Sequence, residues 1–168
     1  MSSILRVDSI QTSSGGSATA SGLGIDIGST GKIAQLVNVS TTTQRSTTSS
    51  SFTAVSDMSI SITPSATNSK IYLTAMQTMG VSASGGYWSR VSIFRNGSNL
   101  NGNNNGMGAM RTNTGDTIIS IPMIFVDSPN STSAQTYQIY FRSPDGATVY
   151  YNYDSGSTAT FQAMEVLA

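Results

Sequence analysis

The feature that most restricts this chain is an alternation of apolar and polar side chains with a period of two, with no apolar spacing of helical period. Successive side chains of a strand point to opposite faces, so such runs fold as strands with one face buried. Met58, Ile60 and Ile62 alternate with Ser59 and Ser61, and comparable runs cover 33–39, 51–55, 71–79, 87–95, 117–126, 136–142, 147–153 and 160–167. Between them, Asn96-Gly97 and Asp145-Gly146 supply the positive φ values of tight hairpins, while Pro64, Pro129 and Pro144 mark loops. About nine short strands without crossover helices predict an all-β fold, an antiparallel β-sandwich with a jelly-roll-like knob. An immunoglobulin-like sandwich is the nearest rival, but its Cys and Trp core pattern is missing.

The alternation begins only at Ile33. Before it, Ile4, Leu5, Val7 and Ile10 form a short apolar patch, followed by Thr12–Ser21, which contains only Ser, Thr, Gly and Ala. So little apolar area does not offset roughly 1–2 kcal/mol of backbone entropy per residue, and such a segment orders only by docking on something else. Residues 1–31 therefore read as an extended anchor with a flexible connector, and residues 32–168 as the knob.

Charge and missing residue types narrow the function. Eight basic and eight acidic residues give a net charge of zero with no basic cluster in sequence, so neither nucleic acid nor an anionic membrane is an expected partner. With no Cys and no His, disulfide scaffolds, thiol nucleophiles, Cys/His zinc sites and imidazole triads are excluded. No stretch is long and apolar enough to span a membrane, and the first 30 residues lack a signal-peptide pattern, so the expectation is synthesis in a host cytoplasm without membrane insertion.

Motifs for chemistry fail on spacing. Gly22-Leu23-Gly24-Ile25-Asp26-Ile27-Gly28 is one residue too long for a dinucleotide loop, and no βαβ pattern follows. In Gly28-Ser29-Thr30-Gly31-Lys32 the residue after the lysine is Ile33, where a phosphate loop needs Ser or Thr. The carboxylates are seven Asp in mostly turn contexts and Glu165 in the last strand, read as a rim carboxylate or the partner of an arginine. No catalytic residue, metal site or cofactor is expected, and the chain does not read as an enzyme.

Two groups of residues stand out as surfaces. In 117–126 one face carries Ile119, Ile121, Met123 and Phe125, and the other carries Ile118, Ile124 and Val126. A sandwich strand needs one apolar face, so Ile118, Ile124 and Val126 are candidates for an oligomer interface. Lys32 and Lys70 are the only lysines with which to blunt sheet edges. The aromatic pair Tyr87 and Trp88 and the loop amides Asn99, Asn101 and Asn103 are candidate contacts for a ligand or receptor, suited to a glycan. A carbohydrate-binding module is the competing class of function.

The opening Ser3-Ile4-Leu5-Arg6-Val7-Asp8-Ser9-Ile10-Gln11, the junction Gly31-Lys32-Ile33-Ala34-Gln35-Leu36-Val37, the stretch 59–71 and the closing Phe161-Gln162-Ala163-Met164-Glu165-Val166 resemble short fibre proteins of tailed bacteriophages, especially marine and cyanobacterial ones. The likeness lies in the order of these segments and spans both ends of the chain. It implies a non-enzymatic virion protein, a homotrimer fastened by its N-terminal segment to other phage tail or capsid proteins and ending in a jelly-roll knob. The expected role is a tail fibre that meets a host surface glycan or receptor, with a head fibre or decoration protein as the alternative.

Overall fold

The computed structural model describes residues 31–82, 85–113, 115–154 and 156–168. The anchor residues Ile4, Leu5, Val7 and Ile10, the connector and the glycine motif at 22–28 lie outside the described residues.

The described residues form eleven strands and no helix: β1 (Ile33–Thr41), β2 (Arg45–Thr47), β3 (Thr53–Ile62), β4 (Lys70–Val81), β5 (Tyr87–Arg95), β6 (Ser98–Asn99), β7 (Gly108–Thr112), β8 (Thr117–Asp127), β9 (Gln135–Arg142), β10 (Val149–Tyr151) and β11 (Ala159–Val166). All pairings are antiparallel. The long strands form one sheet in the order β1-β11-β4-β8 and a second in the order β3-β9-β5-β7. The short β10 and β2 extend the first sheet, and β6 the second. This interleaving, in which the chain changes sheet between β2 and β3, β3 and β4, β4 and β5, β7 and β8, β8 and β9, and β9 and β10, is the double Greek key of a jelly roll.

The alternation explains the core. Val55, Met58, Ile60 and Ile62 of β3, Ile71, Leu73 and Met79 of β4, Tyr137, Ile139 and Phe141 of β9, and Phe161 and Ala163 of β11 face inward and are buried. The large aliphatic side chains and phenylalanines among them gain roughly 1.5–3 kcal/mol each on burial, the main stabilising contribution in a chain of hydroxyl-rich composition.

Several expectations need correction. The runs 51–55 and 58–62 are one strand, β3, whose register slips between Ala54 and Ser59. Such a bulge breaks the alternation and reads as two strands in sequence. The run at 147–153 shrinks to β10, three residues long, and β2, β6 and β7 are additional strands too short or too polar to read. Asn96-Gly97 is a hairpin turn, with φ of 49° and 80°, between β5 and β6. Asp145-Gly146 instead lies in the crossing from β9 to β10, which belong to different sheets. Of the expected inner face of β8, Ile121 and Met123 are buried, whereas Ile119 is exposed, so the strand is covered only from Ile121 onward.

Candidate functional site

Strand direction gives the knob two distinct ends. Gly31 N–H donates to the Leu167 carbonyl at 2.6 Å and Leu167 N–H donates to Lys32 at 2.9 Å, so the chain enters beside its own C-terminal residues. That end also holds the β3–β4 connection at 63–69, the Asn96-Gly97 turn and the β8–β9 connection. The opposite end carries the β4–β5, β7–β8 and β9–β10 connections.

The outer face of the first sheet carries an apolar stripe. The large aliphatic side chains left exposed among the described residues are Ile33, Leu36, Met76, Ile118, Ile119, Ile124 and Val126; every one belongs to this sheet, and all but Ile119, which shares the inner parity of Met79, lie on its outer face. Ile124 is 65% exposed, Ile33 61% and Leu36 55%. Register aligns them: Leu36 faces Met164, Met164 faces Tyr72, and Tyr72 faces Val126, an apolar row across all four strands. The next row reads Asn38, Gln162, Thr74, Ile124, and the one beyond Ser40, Thr160, Met76, Pro122. With strands about 4.8 Å apart, the one wholly apolar row runs about 14 Å across the sheet, and the two rows beyond it add Ile124, Met76 and Pro122 among polar neighbours. At the far end of the same face, Tyr153 lies on Gly80, where an added Cβ would meet its ring at 2.2 Å, and stacks on Tyr150 with centroids 4.3 Å apart. Tyr151, on the opposite parity, is buried as alternation requires.

Ile118, Ile124 and Val126 thus stand exposed on one face, as the sequence reading required of them. Ile33, Leu36 and Met76 were not singled out, since their contribution depends on which strands become neighbours. β8 is an edge strand, and its edge is interrupted by Pro122, which lacks a donor for a further strand. The lysines do not blunt this edge: Lys70 opens the interior strand β4 and bonds Ser128 Oγ at 2.8 Å.

The second sheet carries the polar candidates, rearranged. Tyr87 packs partly against the core, while Trp88 points to the outer face, so the two rings do not form one surface. Trp88 instead gathers arginines. The Arg90 guanidinium lies 4.3 Å from its ring centroid and that of Arg111 5.6 Å, and its backbone N–H donates to Asp145 Oδ2 at 2.9 Å. Arg111 is opposite Trp88 on β7, and Arg142 is opposite Arg90 on β9, so the three arginines occupy three adjacent strands. Burial, followed by the Arg142 charge, lowers the Arg90 pKa from its ordinary value, with Asp145 opposing. The ion pairs among the described residues are Arg45–Asp57 and Arg95–Asp127, so none of these three arginines has a paired carboxylate.

The asparagine loop lies against this patch and is held by its own amides. Asn99 Oδ1 accepts from Ser92 Oγ at 2.7 Å and Asn101 N at 3.1 Å, while its Nδ2 donates to the Asn103 carbonyl at 2.7 Å. Asn101 Nδ2 donates to Asn103 Oδ1 and to the Gly106 carbonyl, and Asn103 Oδ1 accepts from Asn105 N at 2.7 Å. Arg90 donates to the Asn105 carbonyl at 3.3 Å and Arg142 to that of Asn104. Asn99, Asn101 and Asn103 therefore shape the loop, and their amides are largely engaged within it. Asn99→Ala leaves the buried Ser92 hydroxyl without its acceptor and frees the loop, and about 2 kcal/mol of stability is expected to be lost in denaturant unfolding.

Glu165 is neither on the rim nor paired with an arginine. It is buried on the inner face of β11 and accepts hydrogen bonds from Gln35 Nε2 at 2.6 Å, Ser65 N at 2.6 Å and Ser65 Oγ at 2.7 Å. Its partners are neutral donors from β1 and the β3–β4 connection, a structural clamp. Asp127 plays a similar part at the end of β8, accepting from Arg95 at 2.7 Å and from the buried Tyr137 hydroxyl at 2.6 Å. Burial, then the Asp127 bond and charge, push the Tyr137 phenol well above its ordinary value. Both carboxylates are thus engaged in holding loops and strands.

No protein-family model and no curated protein matches the sequence.

Proposed function

We propose that the chain is a structural, non-enzymatic protein of a tailed-phage virion: a homotrimeric tail fibre fastened to other phage proteins by its N-terminal segment and presenting its knob to the host surface. The observation that carries this reading is the apolar row Leu36–Met164–Tyr72–Val126, with Ile124 beside it, on the outer face of the β1-β11-β4-β8 sheet, left uncovered in a single copy. Three copies turning that face to a common axis remove Leu36, Ile124 and Val126 from water together. Pro122 obstructs extension of the β8 edge, which favours contact through the face over strand addition.

Geometry supports the rest. The chain enters the knob at Gly31 beside Leu167, at the end where the Leu36–Met164–Tyr72–Val126 row lies, so three N-terminal segments leave such a trimer side by side. The Trp88 and arginine cluster sits towards the opposite end and on the other sheet, away from the axis. Three weak contacts to a repetitive host surface then act together as avidity. The sequence resemblance to phage fibre proteins points the same way, and a head fibre differs from this reading only in the protein that receives the anchor.

Deleting residues 2–11 is expected to leave a soluble knob of unchanged oligomeric mass that no longer joins the particle, measured by quantifying the protein in purified virions. Normal incorporation would remove the anchor and, with it, the fibre reading.

A further inference from the structure

We infer that the outer face of the second sheet is a binding site for an acidic polysaccharide, with Arg90, Arg111 and Arg142 taking its carboxylate or sulfate groups and Trp88 fixing the geometry of the guanidinium pair beside it. The inference deepens the host-attachment reading and rests on it for its biological setting.

The chain is sparsely charged, with eight basic residues in 168, yet three of them meet on one face of one sheet. Arg90 and Arg142 are directly opposed across β5 and β9, a like-charge pair that destabilises a sheet. A local rule broken without a compensating ion pair marks a site kept for another purpose. The neighbouring Asp145 binds the Trp88 backbone N–H and forms no salt bridge with any of the three, leaving the cluster with excess positive charge.

The guanidinium planes are held ready. Trp88 restrains Arg90 and Arg111 through its ring, and the carbonyls of Ser50, Asn104 and Asn105 restrain Arg142 and Arg90. The Nε atoms of Arg90 and Arg142 are buried without a hydrogen-bond partner. An arginine whose rotamer is already fixed loses less entropy when it grips an oxyanion, and the planar fork suits carboxylate and sulfate.

Extent selects the ligand class. Three adjacent strands span about 10 Å, room for one or two charged groups of an extended chain. Nucleic-acid binders need a longer basic stripe, and the neutral total charge of this protein does not supply one. A flat, exposed sheet face with isolated charges suits a polymer with spaced anionic groups and hydroxyls between them.

The test uses the full-length chain on immobilised polygalacturonate, dextran sulfate and neutral dextran, with a single-stranded oligonucleotide as a further arm. Retention on polygalacturonate or dextran sulfate but not on dextran is expected, weakening as salt rises; which of the two binds more tightly identifies carboxylate or sulfate. Arg111→Glu, at an exposed position outside the loop hydrogen bonds, is expected to weaken retention about tenfold or more at an unchanged melting temperature, and Arg111→Lys to restore part of it. Equal retention on neutral dextran, equal binding by Arg111→Glu, or tighter binding of the oligonucleotide overturns the inference. Light scattering on the same samples separates the two readings. A monomer that binds the acidic polymer sinks the trimer and keeps the site, and a trimer that binds neither polymer sinks the site alone.

Discussion

The double substitution Ile124→Asp with Val126→Asp is expected to convert the proposed trimer, three times the 17.5 kDa chain mass by light scattering, into a monomer at micromolar concentration. Both side chains stand exposed on the outer face of β8, one opposite Thr74 and the other opposite Tyr72. Burying an Ile and a Val against another copy contributes roughly 1.5–3 kcal/mol each, and a carboxylate in their place adds a desolvation cost, so association weakens by at least about a hundredfold. Because the positions are solvent-exposed within a single knob, the unfolding free energy of the monomer changes by only about 0.5 kcal/mol. Ser61→Asp, on the exposed outer face of the other sheet, is the matched control and leaves the mass unchanged. A wild-type monomer, or a double variant that keeps trimer mass, refutes the shared-axis arrangement.

The pair Ile124 and Val126 was legible in sequence, while most of the surface they belong to was not, and the reason is physical. A strand apolar on both faces shows in the sequence of β8 alone. Leu36 and Met164 look unremarkable in their own strands and become part of a stripe only when β1, β11, β4 and β8 are placed side by side, an order set by crossings between sheets. The same holds for the arginines: Arg90, Arg111 and Arg142 lie far apart in the chain, and Trp88 meets Arg111 and Arg90 meets Arg142 only through the β7-β5-β9 register. Core alternation, by contrast, is a property of each strand, and in β3 it picked out Met58, Ile60 and Ile62, which are buried. It failed where the backbone leaves period two, at the bulge in β3, and where hydroxyl-rich β2 offers no apolar signal.

Glu165 shows how far local pattern misleads, and it carries the largest expected change in stability. Among Phe161 and Ala163 on an inward face a carboxylate looks misplaced, yet the fold surrounds it with donors. Burial pushes its pKa up, but hydrogen bonds from Gln35, from the Ser65 hydroxyl and from the Ser65 backbone N–H outweigh this, and the buried Ser69 hydroxyl adds to the field; the pKa falls from 4.5 to about 2. The folded state therefore favours the ionised carboxylate relative to the unfolded chain. Stability from this group is fully present above the ordinary value of 4.5 and is lost as pH falls from there towards about 2. Removing the side chain with Glu165→Ala leaves the Ser65 N–H, the Ser65 hydroxyl and the Gln35 amide without their acceptor, at an expected cost of about 3 kcal/mol at neutral pH. Glu165→Gln presents a donor where donors already converge, so it also destabilises at neutral pH, and it flattens the dependence of melting temperature on pH between about 5 and 2 because no proton is taken up at this position. Thermal unfolding across that range reads both effects. An unchanged acid slope in Glu165→Gln would show that another group sets the acid limit. The site also connects to the proposed assembly: Gln35 and Ser65 tie β1 and the β3–β4 connection to β11 beneath the end of the sheet that carries Ile33 and Leu36, so loosening the clamp is expected to weaken the proposed trimer as well as the single knob.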